Sequence, residues 1–69
     1  MIAFIEVHPV FGGVTWLNCR HIIQVFEGEE GVGIEVCERE NCIMVTDTLD
    51  DILKRLRRVE MLREITRGG

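Results

Sequence analysis

The side chains best suited to chemistry are three cysteines and two histidines. Cys19-x-His21 and Cys37-x4-Cys42 together offer four soft ligands, the number a tetrahedral zinc site takes. The spacing matches no standard ligand pair. The strand phasing given below turns Cys37 away from the core and leaves Cys19 in a turn, so unrelated thiols and a surface histidine are expected. Cys19 and His21 are two apart on an extended segment, as a thiol and its base would be, yet no third group orients the base and no oxyanion site is evident. Gly28-x-x-Gly31-x-Gly33 has the glycine density of a phosphate loop. No lysine follows it and no helix opens there, so a hairpin is expected. Phe11 and Trp16 flank Gly12-Gly13 as a base-stacking platform would. No basic residue lies between them, and core packing is expected instead. No catalytic, cofactor-binding or metal-ligating residue is assigned, and an enzyme is the least expected class.

The elements that would position these residues are short. Met1 to His8 alternates as a strand, with Met1, Ala3, Ile5 and Val7 on one side and Ile2, Phe4, Glu6 and His8 on the other, and apolar residues on both sides at its start imply a strand buried on both faces. Pro9 ends it, and Phe11-Gly12-Gly13 supplies turn chemistry. Val14 to Leu17 and His21 to Phe26 read as further strands joined by a tight Asn18-Cys19-Arg20 connection. In the second of these, Ile23 and Val25 share a face opposite Ile22, Gln24 and Phe26. Val32, Ile34 and Val36 point inward in the clearest alternation of the chain, with Gly33, Glu35 and Cys37 outward. Glu38 to Asn41 turns the chain into a fifth strand, Cys42 to Val45. A disulfide between Cys37 and Cys42 is geometrically possible across that hairpin, but an odd cysteine count and a reducing compartment argue against one.

After Val45 the period changes to that of a helix. Thr48 is a good N-cap, and Asp50 and Asp51 fall in the first turn, where the helix dipole favours acids. Leu49, Ile52, Leu53, Leu56 and Val59 recur at helical spacing, and Asp50–Lys54 and Asp51–Arg55 are acid-before-base pairs four apart. Met61, Leu62 and Ile65 fall on the opposite side of the same helix. One straight helix on one sheet does not bury both sets. Either the helix breaks near Glu60, or its last turns bury against another chain, or the three hydrophobes are simply exposed, as scattered surface hydrophobes commonly are; the small core of a chain this short favours a second chain.

Sixty-nine residues hold one domain, here residues 1–69, with 46% apolar and 29% charged residues, a globular composition. No apolar run is long enough to span a membrane and no signal peptide is visible, so a cytoplasmic protein is expected. Net charge is −4 and the signs are segregated. The strands carry Glu6, Glu27, Glu29, Glu30, Glu35, Glu38 and Glu40 against Arg20 and Arg39. The helix carries Lys54, Arg55, Arg57, Arg58, Arg63 and Arg67 against Glu60 and Glu64 after its first turn. An acidic body repels phosphate backbones, whereas a basic helix leaves nucleic acid or another acidic surface open as partners.

Taken together, Ile2 to Val7, Leu17-Asn18 with His21-Ile22-Ile23 and Val25, the alternating Val32, Ile34 and Val36, Ile43-Met44-Val45, and Thr48 before Asp50-Asp51-Ile52 resemble the small FlbD-type proteins of bacteria, a family associated with flagella and swarming motility. The likeness covers about residues 1 to 56 and implies a small sheet followed by a helix. That family has no established catalytic residues to carry over. Three cysteines and a longer, arginine-rich C-terminus depart from it. The layout is also similar to the carbon-storage-regulator RNA-binding proteins, which are intertwined dimers. Ile5-Glu6 and Asp50-Asp51 stand here where that family places basic residues on RNA, which makes that mode of RNA binding unexpected.

The expected fold is α+β, a four- or five-stranded curved antiparallel sheet over about residues 1–46 and one C-terminal helix over about 48–66. The leading functional expectation is a non-enzymatic protein-interaction or regulatory module, a homo-oligomer joined through Met61, Leu62, Ile65 and the flanking Arg58, with a further protein partner unidentified. The alternatives are a nucleic-acid binder using Lys54, Arg55, Arg57 and Arg58, and a small acidic inhibitor using the Glu27 to Glu40 face.

Overall fold

The computed structural model describes residues 3 to 68, and side chains for residues 3 to 60. The fold is α+β: among the described residues, five strands in two antiparallel sheets and one C-terminal helix. Strand β1 (Phe4–Val7) pairs with β2 (Thr15–Asn18), placing Ile5 opposite Leu17 and Val7 opposite Thr15. Strand β4 (Gly31–Val36) lies between β3 (Ile22–Gly28) and β5 (Ile43–Val45). The chain just after β1 links the ladders. Pro9 bridges Val45, the Val10 amide donates to the Met44 carbonyl at 2.9 Å, and the Thr46 amide donates to the His8 carbonyl at 2.8 Å. The strands therefore run β2-β1-β5-β4-β3 through that bridge, with β2 and β3 at the two ends.

The core is aliphatic. Ile5, Val7, Val32, Ile34, Val36, Ile43, Val45 and Ile52 are buried, with Leu17, Ile22, Val25, Leu49, Leu56 and Val59 packed around them. Every strand member of that set comes from one face of its ladder, as a period of two requires. The expected alternation of β4 holds, and Gly33 has a reason to be glycine on the outward face. It faces Phe26 across the ladder, and a Cβ there would overlap the Phe26 ring that lies over it. Gly28 and Gly31 close the β3–β4 hairpin around Glu29 and Glu30, with Gly31 at φ 116°, a conformation glycine adopts without a Cβ clash.

Three expectations are corrected. The first strand spans Phe4–Val7, and Phe4 on its outer side is exposed, so the strand is buried on one face rather than both. In β3 the register shifts between Ile22 and Gln24. That bulge turns Ile22 inward with Val25 and pushes Ile23 out into solvent, reversing the expected pairing of Ile23 with Val25. Trp16 and Phe11 do not pack in the core: Trp16 is 61% exposed and Phe11 90%.

Helix α1 (Leu49–Gly68) lies against β1 and β3 and buries Ile52 fully. Thr48 caps it as expected, its hydroxyl accepting from the Asp51 amide at 3.1 Å. The backbone is helical straight through Glu60, so the helix does not break there. Val59 is its last core-packing position among the described residues.

Candidate interaction surface

The polar centre of the molecule is Asp47, on the short connection from β5 to α1. Its side chain is 3% exposed, where an unpaired carboxylate would be costly. It has three donors. The His8 amide reaches Oδ1 at 2.7 Å, His8 Nδ1 reaches Oδ2 at 2.7 Å, and Arg55 Nη1 reaches Oδ2 at 2.6 Å. The same Arg55 nitrogen donates to the Glu6 carbonyl at 3.0 Å. Burial works against the charged carboxylate, but the hydrogen bonds from Arg55 and His8 outweigh it and lower the Asp47 pKa to about 2. With Asp47 ionised, His8 Nδ1 is the proton donor. Arg55 thus answers Asp47 rather than Asp51, correcting the expected Asp51–Arg55 pair, whereas Asp50–Lys54 forms at 3.0 Å on the exposed helix face.

An Asp–His pair is also how hydrolases orient a base. Here Arg55 shares the carboxylate oxygen that His8 uses, and the neighbouring Thr46 hydroxyl donates to the His8 carbonyl at 3.1 Å, not to its ring. The chemistry of this cluster is that of a clamp. It ties the end of β1 and the start of α1 to the chain leaving β5.

The residues singled out for chemistry are dispersed. Cys37 and Cys42 are exposed free thiols on either side of the β4–β5 loop. Cys19 and His21 lie in a 3-10 turn (Cys19–His21), capped by Asn18 Oδ1, which accepts from the Arg20 amide at 3.0 Å. No group of three or more His, Cys, Asp or Glu among the described residues is placed to hold a metal ion. Of the basic set, Lys54 is held by Asp50 and Arg55 by Asp47, leaving Arg57 and Arg58 exposed without that engagement. The side chains of Met61, Leu62 and Ile65 lie outside the described residues. No helix among the described residues is long and apolar enough to cross a membrane.

What the structure does bring together is apolar surface on and around the β1–β2 ladder. Phe4 is 51% exposed, and Val10, Phe11, Val14 and Trp16 are exposed with it. Phe4 and Trp16 are diagonal neighbours on the outer face, since Phe4 pairs with Asn18 and Trp16 with Glu6. They share an open cleft of about 390 Å³ with Leu17, Asn18, Val36 and Arg39. Phe4 and Trp16 together present roughly 250 Å² to water there, while Phe11 lines a separate cleft with Pro9, Val10, Thr15 and Met44. The signal was present in the sequence: in Thr15-Trp16-Leu17-Asn18, Trp16 alternates with Leu17, and one of the two had to face out.

No protein-family model matches the chain, and no curated protein or solved structure is detectably similar to it.

Proposed function

We propose that this chain is a non-enzymatic protein-interaction module that binds through the outer face of the β1–β2 ladder. The observation that carries the reading is the exposure of Phe4 and Trp16 on that face in a chain whose buried core, among the described residues, is entirely aliphatic. Aromatics dominate interface energetics, and a short chain has few of them to leave in water without use. The polar groups of the clamp are satisfied internally, which supports a scaffold role for them and leaves recognition to the apolar face.

A second contact, through α1, has its own support. The helix continues nine residues past Val59, its last described core position, and Arg58 stands exposed beside that extension. Met61, Leu62 and Ile65 with Arg58 as rim would make it a self-interface.

Selection of random peptides against the immobilised protein tests the leading reading. Enriched peptides are expected to be apolar and to lose about tenfold or more in affinity for a Trp16→Lys variant that keeps its circular dichroism. Failure to enrich any peptide, or enrichment of peptides indifferent to Trp16, contradicts it.

A further inference from the structure

Two open clefts meet at Arg39. One, of about 390 Å³, is the cleft of Phe4 and Trp16. The other, of about 520 Å³, is lined by Phe11 with Val10, Ile43 and Met44. Arg39 lines both, and the two have no other lining residue in common. Each has room for a bulky apolar side chain.

Arg39 lies on the loop from β4 to β5 and is exposed. Its side chain forms no ion pair among the described residues, whereas Arg55 is held by Asp47 and Lys54 by Asp50. Its chain neighbours Glu38 and Glu40 line neither cleft. The Trp16 cleft is lined by Arg39 and His21 and by no Asp or Glu. In a chain of net charge −4, a guanidinium without an acid stands where two apolar clefts adjoin. Its planar fork of N–H donors matches a carboxylate.

We propose that the two clefts receive one extended segment of another protein, with an Asp or Glu on Arg39 and an apolar side chain in each cleft. This rests on the proposed interaction face and names the chemistry of its partner. Every second side chain of an extended segment faces the same side, so cleft, arginine and cleft are met by an apolar-x-acid-x-apolar pattern. An exposed ion pair alone is worth little, but apolar groups seated on both sides exclude water from it. Glu30 lines the Phe11 cleft and disfavours a second acid there. A phosphate also suits a guanidinium, and Trp16 and Phe11 are both able to stack on bases. A nucleic-acid strand, however, brings a charge with every nucleotide toward Glu30, Glu38 and Glu40, and one arginine does not offset them. A peptide with a single carboxylate brings one charge, to the one place that lacks it.

The test is selection of random heptapeptides, run in parallel on the wild-type chain and on Arg39→Glu. Peptides enriched on wild type are expected to carry an Asp or Glu between two apolar residues. They should lose about tenfold or more in affinity for Arg39→Gln, the loss of one charge-assisted hydrogen-bonded pair, and should weaken likewise for Phe11→Ser. Arg39→Glu is expected to enrich Lys or Arg in place of the acid. Both Arg39 variants should keep the wild-type circular dichroism, since the side chain holds no ion pair among the described residues. Peptides that depend on Trp16 but lack an acid, or that bind Arg39→Gln as well as wild type, overturn this inference and leave the interaction face standing. An oligothymidylate that binds wild type and not Arg39→Gln overturns it in favour of nucleic acid. Failure to enrich any peptide removes the interaction face as well, so the two failures are separable.

Discussion

Asp47 is where residue chemistry and fold are most tightly joined. Its folded pKa near 2 lies below the ordinary 3.8, so its contribution is fully present above about pH 4 and is lost as pH falls toward 2. The shift corresponds to about 2 kcal/mol at neutral pH. Asp47→Asn should lower the free energy of unfolding in urea by about that amount at pH 7, with the gap to wild type closing at pH 2 to 3. A gap that persists into acid would mean that packing, not charge, carries the effect. None of this clamp was legible in the sequence. His8 and Asp47 are far apart in the chain, and helix spacing offered Arg55 a different partner in Asp51. Tertiary proximity won because the Asp47 side chain is only 3% exposed and Asp51 lies in solvent, so the arginine is worth more to Asp47.

The elements themselves were mostly legible. Period-two alternation located β4, and the switch to helical period together with Thr48 located the start of α1. Two consequences can be measured at this scale. Thr48→Ala removes an acceptor from the first turn and should cost about 1 kcal/mol. Ile52→Ala, at the fully buried contact of α1 with the sheet, should cost about 2–5 kcal/mol, and Leu53→Ala, one position on and 37% exposed, clearly less. Equal costs at 52 and 53 would contradict the helix's seating. The bulge in β3 was not legible, because Ile22-Ile23-Gln24 carries no glycine or proline to mark it. One extra residue there was enough to exchange which isoleucine reaches the core. The exposure of Trp16 was missed for a different reason. Strand pattern fixes which residues share a face, but not which face a ladder turns toward the core.

For the molecule as a whole, an aliphatic core is sealed by one stretch of α1, while the aromatic side chains sit outside it or over a glycine. That division fits the small α+β fold read from the sequence, whereas the expected association surface of Met61, Leu62 and Ile65 lies outside the described side chains. Counting hydrophobes on a helical wheel finds a surplus on α1. It does not find a surplus on a sheet, where either face accepts apolar residues. Of the acidic and basic segregation seen in the sequence, part is spent internally on the Asp47–Arg55 and Asp50–Lys54 pairs. The stretch around β2, residues 7 to 19, carries no Asp, Glu, Lys or Arg. The most direct measurement uses the single tryptophan, which sits in that stretch. Trp16 emission and its quenching by acrylamide, followed while a peptide enriched by selection is added, should pass from those of an exposed indole to those of a shielded one. An indole equally exposed and equally quenched at every peptide concentration would contradict the account.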